Sequence, residues 1–174
     1  MRNPSTTTGE QLANALYALG VRFVMDGTNA EESLHKEPTR LIAALAESNE
    51  ARLRLSLIPL FLEYPEFAAH VRAAARGLSA PARLTLRCYY SAAVWLQRKY
   101  RLRLDALLGQ KPFLPDHFSG ELELPVTDDA EENLRLLAER HQALSGMPIN
   151  WLGTYEHAVR RLLNHAEGEN QWLT

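Results

Sequence analysis

APARLTLRCYYSAAVWLQRKYRLRLDALLG, residues 80–109, reads as one long amphipathic α-helix against which the rest of the chain packs. Leu86, Tyr89, Ala93, Leu96, Tyr100, Leu104 and Leu107 recur at steps of three and four, which places them on one helix face. Leu84, Cys88, Val94 and Trp95 widen that apolar surface beyond a single stripe, so cover is expected on more than one side. Ser79 can serve as N-cap, and Pro81 lies in the first turn, where a missing N–H costs little. Gly109 and Pro112 supply a stop. The polar face carries Arg83, Arg87, Arg98, Lys99, Arg101 and Arg103, with no acid before Asp105. Such a face suits an anion, a nucleic acid or an acidic partner. It suits equally well acids elsewhere in the same chain.

The 174 residues fit one domain with a sizeable core, and 46% apolar with 23% charged residues is the composition of a globular protein. A net charge of −2 gives no global attraction to nucleic acid or acidic lipid. Cys88 is the only cysteine, so no intramolecular disulfide can form, which suits a reducing, cytoplasmic setting. Its apolar neighbours make it a packed hydrophobe rather than a nucleophile. The polar Met1–Thr8 segment shows no signal peptide. No apolar run approaches the roughly 18 residues of a membrane span. The longest, Leu57–Leu62, contains Pro59.

In chain order, residues 1–6 are expected to fray. Thr7 or Thr8 caps a helix that Gly20 ends, with Leu12, Leu16 and Leu19 as its stripe. Val21–Met25 is β-branched and aromatic, and predicts a short strand or an extended linker. Asp26–Asn29 is turn chemistry, and the polar stretch to residue 37 reads as loop. Helices follow at 38–47, at 50–64 with a kink at Pro59, and at 66–77. Arg52–Leu57 alternates as a strand would, but the cap residues before it and the unbroken apolar run after it favour helix. Residues 109–127 hold Pro112, Pro115, Gly120 and Pro125 and read as an irregular loop that packs back through Phe113, Leu114 and Phe118. Thr127 then caps a helix ending at Ser145–Pro148, with Leu134, Leu137 and Leu144 on its apolar face. A last helix runs from about Thr154 to His165, and Trp172 and Leu173 can dock beyond it.

A faint repeat runs through this region. Ala51-Arg52-Leu53-x-Leu55 recurs as Ala82-Arg83-Leu84-x-Leu86, and Ala43, Ala44 and Ser48 align with Ala74, Ala75 and Ser79. The rhythm over residues 38–100 resembles HEAT-type repeats, and the resemblance implies two stacked helical hairpins. Eight basic residues and no acid lie between Phe67 and Leu104, and nine acids with two bases lie between Asp105 and Glu139. Antiparallel packing would pair these stretches within one molecule.

Signs of chemistry are sparse. The six histidines form no His-x3-His or His-Glu-x-x-His pattern, so no metal site is assembled locally, and no cofactor fingerprint occurs. Asp116-His117 stands in the proline-rich loop, a setting that favours function. Arg160 and His165, and also Arg135 and His141, resemble in spacing the arginine–histidine pair of HEPN-type ribonucleases, all-helical proteins that use it to cleave RNA. Arg161 and Leu136 stand where that motif carries a polar residue. Ala18–Gly27 resembles the opening helix and strand of small nucleotidyltransferases, but no Asp-x-Asp pair follows to hold the magnesium that phosphoryl transfer needs.

These readings lead to an all-α bundle or short solenoid of six to seven helices around residues 80–109. The expected function is a non-catalytic helical scaffold or protein-interaction module, of the kind an antitoxin-like or regulatory subunit would be, with a second copy or another protein as partner. Tyr89, Tyr90, Trp95 and Tyr100 are its expected contact surface. The alternatives are a ribonuclease using Arg160 and His165, and nucleic-acid binding through Arg83, Arg87, Arg98, Lys99, Arg101 and Arg103.

Overall fold

A computed structural model describes residues 7–21 and 33–171, and every regular element among them is helical. The anticipated strand at Val21–Met25 falls, after its first residue, outside the described residues, as do the fraying 1–6 segment, the turn at Asp26–Asn29 and the docking of Trp172 and Leu173. In order come α1 (Gly9–Ala18), α2 (Pro38–Glu47), α3 (Ala51–Leu55), α4 (Leu57–Glu63), α5 (Val71–Arg76), α6 (Ala80–Lys99), α7 (Arg101–Leu108), α8 (Ala130–Ser145) and α9 (Trp151–Gln171). Short 3-10 segments at Ser33–Lys36 and Pro65–His70 precede α2 and α5. Thr8 caps α1 in a reciprocal capping box: its hydroxyl accepts from the Gln11 N–H at 3.2 Å, and Gln11 Oε1 accepts from the Thr8 N–H at 2.8 Å.

Helix α6 is the axis of the bundle. From Cys88 to Gln97 every residue is buried, so the helix is covered all round. α8 packs against it most extensively, then α4, with α2, α5 and α9 completing the ring. The long rod anticipated at residues 80–109 is interrupted once, at Tyr100, where α6 gives way to α7. Lys99 Nζ donates to Glu156 Oε1 at 2.6 Å, and the adjacent Tyr100 hydroxyl donates to the other oxygen of the same carboxylate. A regular helix points neighbouring side chains about 100° apart, so drawing both onto one carboxylate favours a local break.

Proline acts earlier than anticipated. The kink expected at Pro59 lies at Ser56, between α3 and α4, because the proline ring crowds the preceding turn and leaves the Leu55 carbonyl without its helical donor. At the break the Ser56 hydroxyl donates to the Leu53 carbonyl, which also accepts the Ser56 N–H. Of the helices in the expected repeat, α2 lies against α5, and α4 against α6. The matched leucines are not equivalent, however. Leu53 and Leu86 are buried while their counterparts Leu84 and Leu55 are half-buried, so the two helix pairs differ in rotation.

The 109–127 loop is pinned from α6. Gln97 Nε2 donates to the Pro112 carbonyl at 2.9 Å, its Oε1 accepts from the Leu114 N–H at 2.7 Å, and the Tyr90 hydroxyl donates to the Pro115 carbonyl at 2.6 Å. Leu114 and Phe118 are buried, but Phe113 stays outside, its ring under the guanidinium groups of Arg98 and Arg101 at 5.2 and 4.1 Å. Asp129 rather than Thr127 caps α8, because Thr127 is held by the Asn133 amide. Gly146, with φ 68°, ends it. α9 starts earlier than expected: Asn150 Oδ1 accepts from the Gly153 N–H at 2.9 Å, so the supposed turn is the first helical turn. Among the described residues no helix is long and apolar enough to cross a membrane.

Candidate functional site

A cavity of about 640 Å³ opens where α3, the first half of α6, the end of α8 and the start of α9 meet. Leu55, Leu84, Tyr89, Ile149 and Trp151 supply its apolar walls, and Leu144 and Met147 stand at its side. The last two are 45% and 50% exposed, although Leu144 was expected on the buried face of α8. Arg52, Arg54, Thr85 and Thr154 contribute its polar groups.

His141 forms one wall. It stacks on Trp151 with ring centroids 3.6 Å apart, and its Nδ1 lies 2.6 Å from the Tyr155 hydroxyl. Tyr89 presents a face or edge to His141, Trp151 and Tyr155 at 5.9, 6.4 and 6.2 Å. Burial holds the imidazole down at about 4 and pushes the Tyr89 phenol up to about 12, the charge of Arg54 acting in the opposite sense on the phenol. Both rings are therefore neutral at physiological pH. The charge in the cavity wall comes from Arg52 and Arg54. Arg52 pairs with Glu50 at 2.9 Å. Arg54 donates to the Ser48 carbonyl at 2.8 Å and meets no carboxylate among the described residues. The arrangement is an apolar cavity, walled by uncharged aromatic rings, with one cation that no acid among the described residues neutralises. That is the chemistry of a binding site for an apolar body with an anionic group.

The residues singled out in the sequence scatter. Tyr89, Tyr90 and Trp95 are at most 6% exposed, and Tyr100 is half-buried, so they do not form a contact surface. Tyr89, Tyr90 and Trp95 are core because α6 is enclosed, and Tyr89 lines a cavity. The basic face also divides. Lys99 pairs with Glu156 and, at 3.7 Å, with Glu131; Arg101 pairs with Asp105 at 2.9 Å; Arg103 pairs with Glu167. Arg98 lies over Trp95 at 5.3 Å and over Phe113. Arg83 donates to the Ala75 and Leu78 carbonyls, closing the end of α5. Half of the acids that answer this face thus come from α9 rather than from the 105–139 stretch.

Arg160 and His165 stand five residues apart on α9, about 140° around the helix axis, and do not face one another. Arg160 is exposed, while His165 Nε2 lies 3.2 Å from Glu169. Arg135 is held by Glu132 and Glu139, whereas His141 is buried. Neither pair is brought together. In the loop, His117 stacks on Tyr90 with centroids 5.5 Å apart and receives the Arg72 Nε–H, while Asp116 accepts from the Ser119 N–H. Among the described residues no three His, Cys, Asp or Glu side chains converge as metal ligands would. Burial pushes the Cys88 thiol up to about 12, which leaves it an unreactive core side chain. The sequence sets His141 only beside Arg135 and gives no sign of Trp151 or Arg54, because no spacing links the three; their meeting is a product of tertiary packing.

No known protein-family model, characterised protein or solved structure matches the chain.

Proposed function

We propose that this chain is a helical binding module that holds a small molecule, with an apolar ring-sized body and one anionic group, in the cavity between α3, α6, α8 and α9. The observation that carries the reading is Arg54, a cation without a carboxylate partner among the described residues, beside an apolar, aromatic-walled cavity. A volume of about 640 Å³ falls in the range of roughly 300–1,000 Å³ typical of ligand pockets. Apolar contact supplies most of the affinity there, and the guanidinium orients the anion. A cytoplasmic location, suited to an unpaired cysteine, belongs to the same proposal.

The test is titration of the full chain with 1-anilinonaphthalene-8-sulfonate, an aromatic anion, and with neutral N-phenyl-1-naphthylamine. Saturable binding of both is expected, tighter for the anion. Arg54→Gln should remove the anion's advantage, and Thr85→Trp, which fills the cavity from α6, should abolish both while the helical signal persists. Binding indifferent to Thr85→Trp would sink the reading.

A second reading keeps the protein-interaction module and moves its contact. The exposed Leu144 and Met147 beside the cavity favour entry of a partner's apolar side chain, a second copy included. Sedimentation over a wide concentration range separates the two: association that Met147→Glu abolishes belongs to this second reading.

A further inference from the structure

We infer a second, independent site: a phosphate-type oxyanion binds between α5 and α6, where four arginines line one concavity. Arg72 and Arg76 stand one turn apart on α5, and Arg83 and Arg87 one turn apart on α6, so each pair projects from one helix face. All four, with Phe118 and Glu121, line a cavity of about 350 Å³. Glu121 is the only carboxylate in that lining and sits 3.3 Å from Arg72, which leaves three of the four cations uncompensated within the lining. Like charges gathered in a concavity cost free energy, and an anion in that space offsets the cost.

The groups are already oriented. Arg83 is fastened by Nε to the Ala75 carbonyl and by its terminal nitrogen to the Leu78 carbonyl, both at 3.0 Å. Arg72 donates to the His117 carbonyl at 2.8 Å. The guanidinium groups of Arg72 and Arg87 each lie 5.9 Å from the Phe118 ring. Arg87 Nε is shielded from solvent and has no hydrogen-bond partner, and Arg76 makes no ion pair among the described residues. Planar guanidinium forks match the oxygens of a phosphate group, and held forks lose little freedom on binding it.

The ligand is compact rather than a long polyanion. Past Arg87 the basic face does not continue as an open track: Arg98 lies over the Trp95 and Phe113 rings, and Lys99, Arg101 and Arg103 are paired with acids. The net charge of −2 likewise gives no long-range pull on nucleic acid.

Calorimetric titration of the full chain with inorganic phosphate and with inorganic pyrophosphate tests this. Saturable one-to-one binding at low salt is expected. Equal affinities indicate a free phosphate as the natural occupant, and tighter pyrophosphate indicates the polyphosphate of a larger molecule. Arg76→Gln, at an exposed position, and Arg87→Gln should each weaken binding about tenfold, while Lys111→Gln, outside the cavity, should leave it unchanged. No saturable heat with either probe, or equal binding by the Arg76 and Arg87 variants, overturns the inference. Single-stranded RNA that binds more tightly than pyrophosphate, with a steep salt dependence lost in the same variants, overturns it in favour of nucleic-acid binding.

Discussion

Glu63 and His141 are both held away from their ordinary protonation, and in opposite senses. Burial, joined by the charge of Glu169, raises the Glu63 carboxyl from 4.5 to about 7. Burial lowers the His141 imidazole from 6.5 to about 4. In the unfolded chain Glu63 loses its proton above pH 4.5 while the folded protein keeps it, so this residue makes stability fall as pH rises toward 7. Unfolded His141 gains a proton below pH 6.5 while the folded ring stays neutral, so this residue makes stability fall as pH drops toward 4, by up to roughly 3 kcal/mol. Between pH 4.5 and 6.5 the two slopes oppose. Denaturant midpoints across that window should therefore change little in the wild type. In Glu63→Gln they should climb with pH, and in His141→Phe they should decline. Parallel profiles for all three proteins would show that neither group titrates as its burial implies.

At the level of elements, α6 does two jobs: it fills the core and tethers the loop that follows α7. Gln97 is 4% exposed and spends its amide on the Pro112 carbonyl and the Leu114 N–H. Gln97→Leu keeps the volume but leaves both backbone groups unpaired, at an expected cost of about 2 kcal/mol. The loss should be local. Hydrogen exchange at residues 112–118 should accelerate before that of α6 or α8; uniform acceleration across the bundle would mean the tether is part of the global core instead. Much at this level is legible from residue order. Ser79 with Pro81 marks the start of α6, and Gly146 the end of α8, because caps act within a turn of their own position. The break at Tyr100 is not legible, since Glu156, the carboxylate that Lys99 and Tyr100 share, lies 56 residues from Tyr100. The 3-10 segment at Pro65–His70 and the early start of α9 were missed for a smaller reason, local hydrogen bonding that several residue orders allow.

The molecule as a whole is organised by the enclosure of α6 between α8, α4 and their neighbours. Leu96, fully buried in that ring, should cost about 3 kcal/mol when replaced by alanine, through lost transfer energy and the cavity left behind. A urea titration gives the value, and a loss below about 1 kcal/mol would mean that the surroundings collapse to fill the gap. The enclosure also decides which side chains reach a surface or a cavity. It takes Tyr90 and Trp95 out of any contact surface, leaves Tyr89 lining a cavity, and sorts one arginine-rich face into a paired half beside α9 and an open half beside α5. What the residue order by itself determined is the helical class, most caps and the identity of the central element, because apolar period and capping are local and act over three to seven residues. Only the tertiary structure decided which charges are answered and where cavities open. Those depend on residues that are distant in the chain meeting at one point, and no spacing in the sequence encodes that meeting.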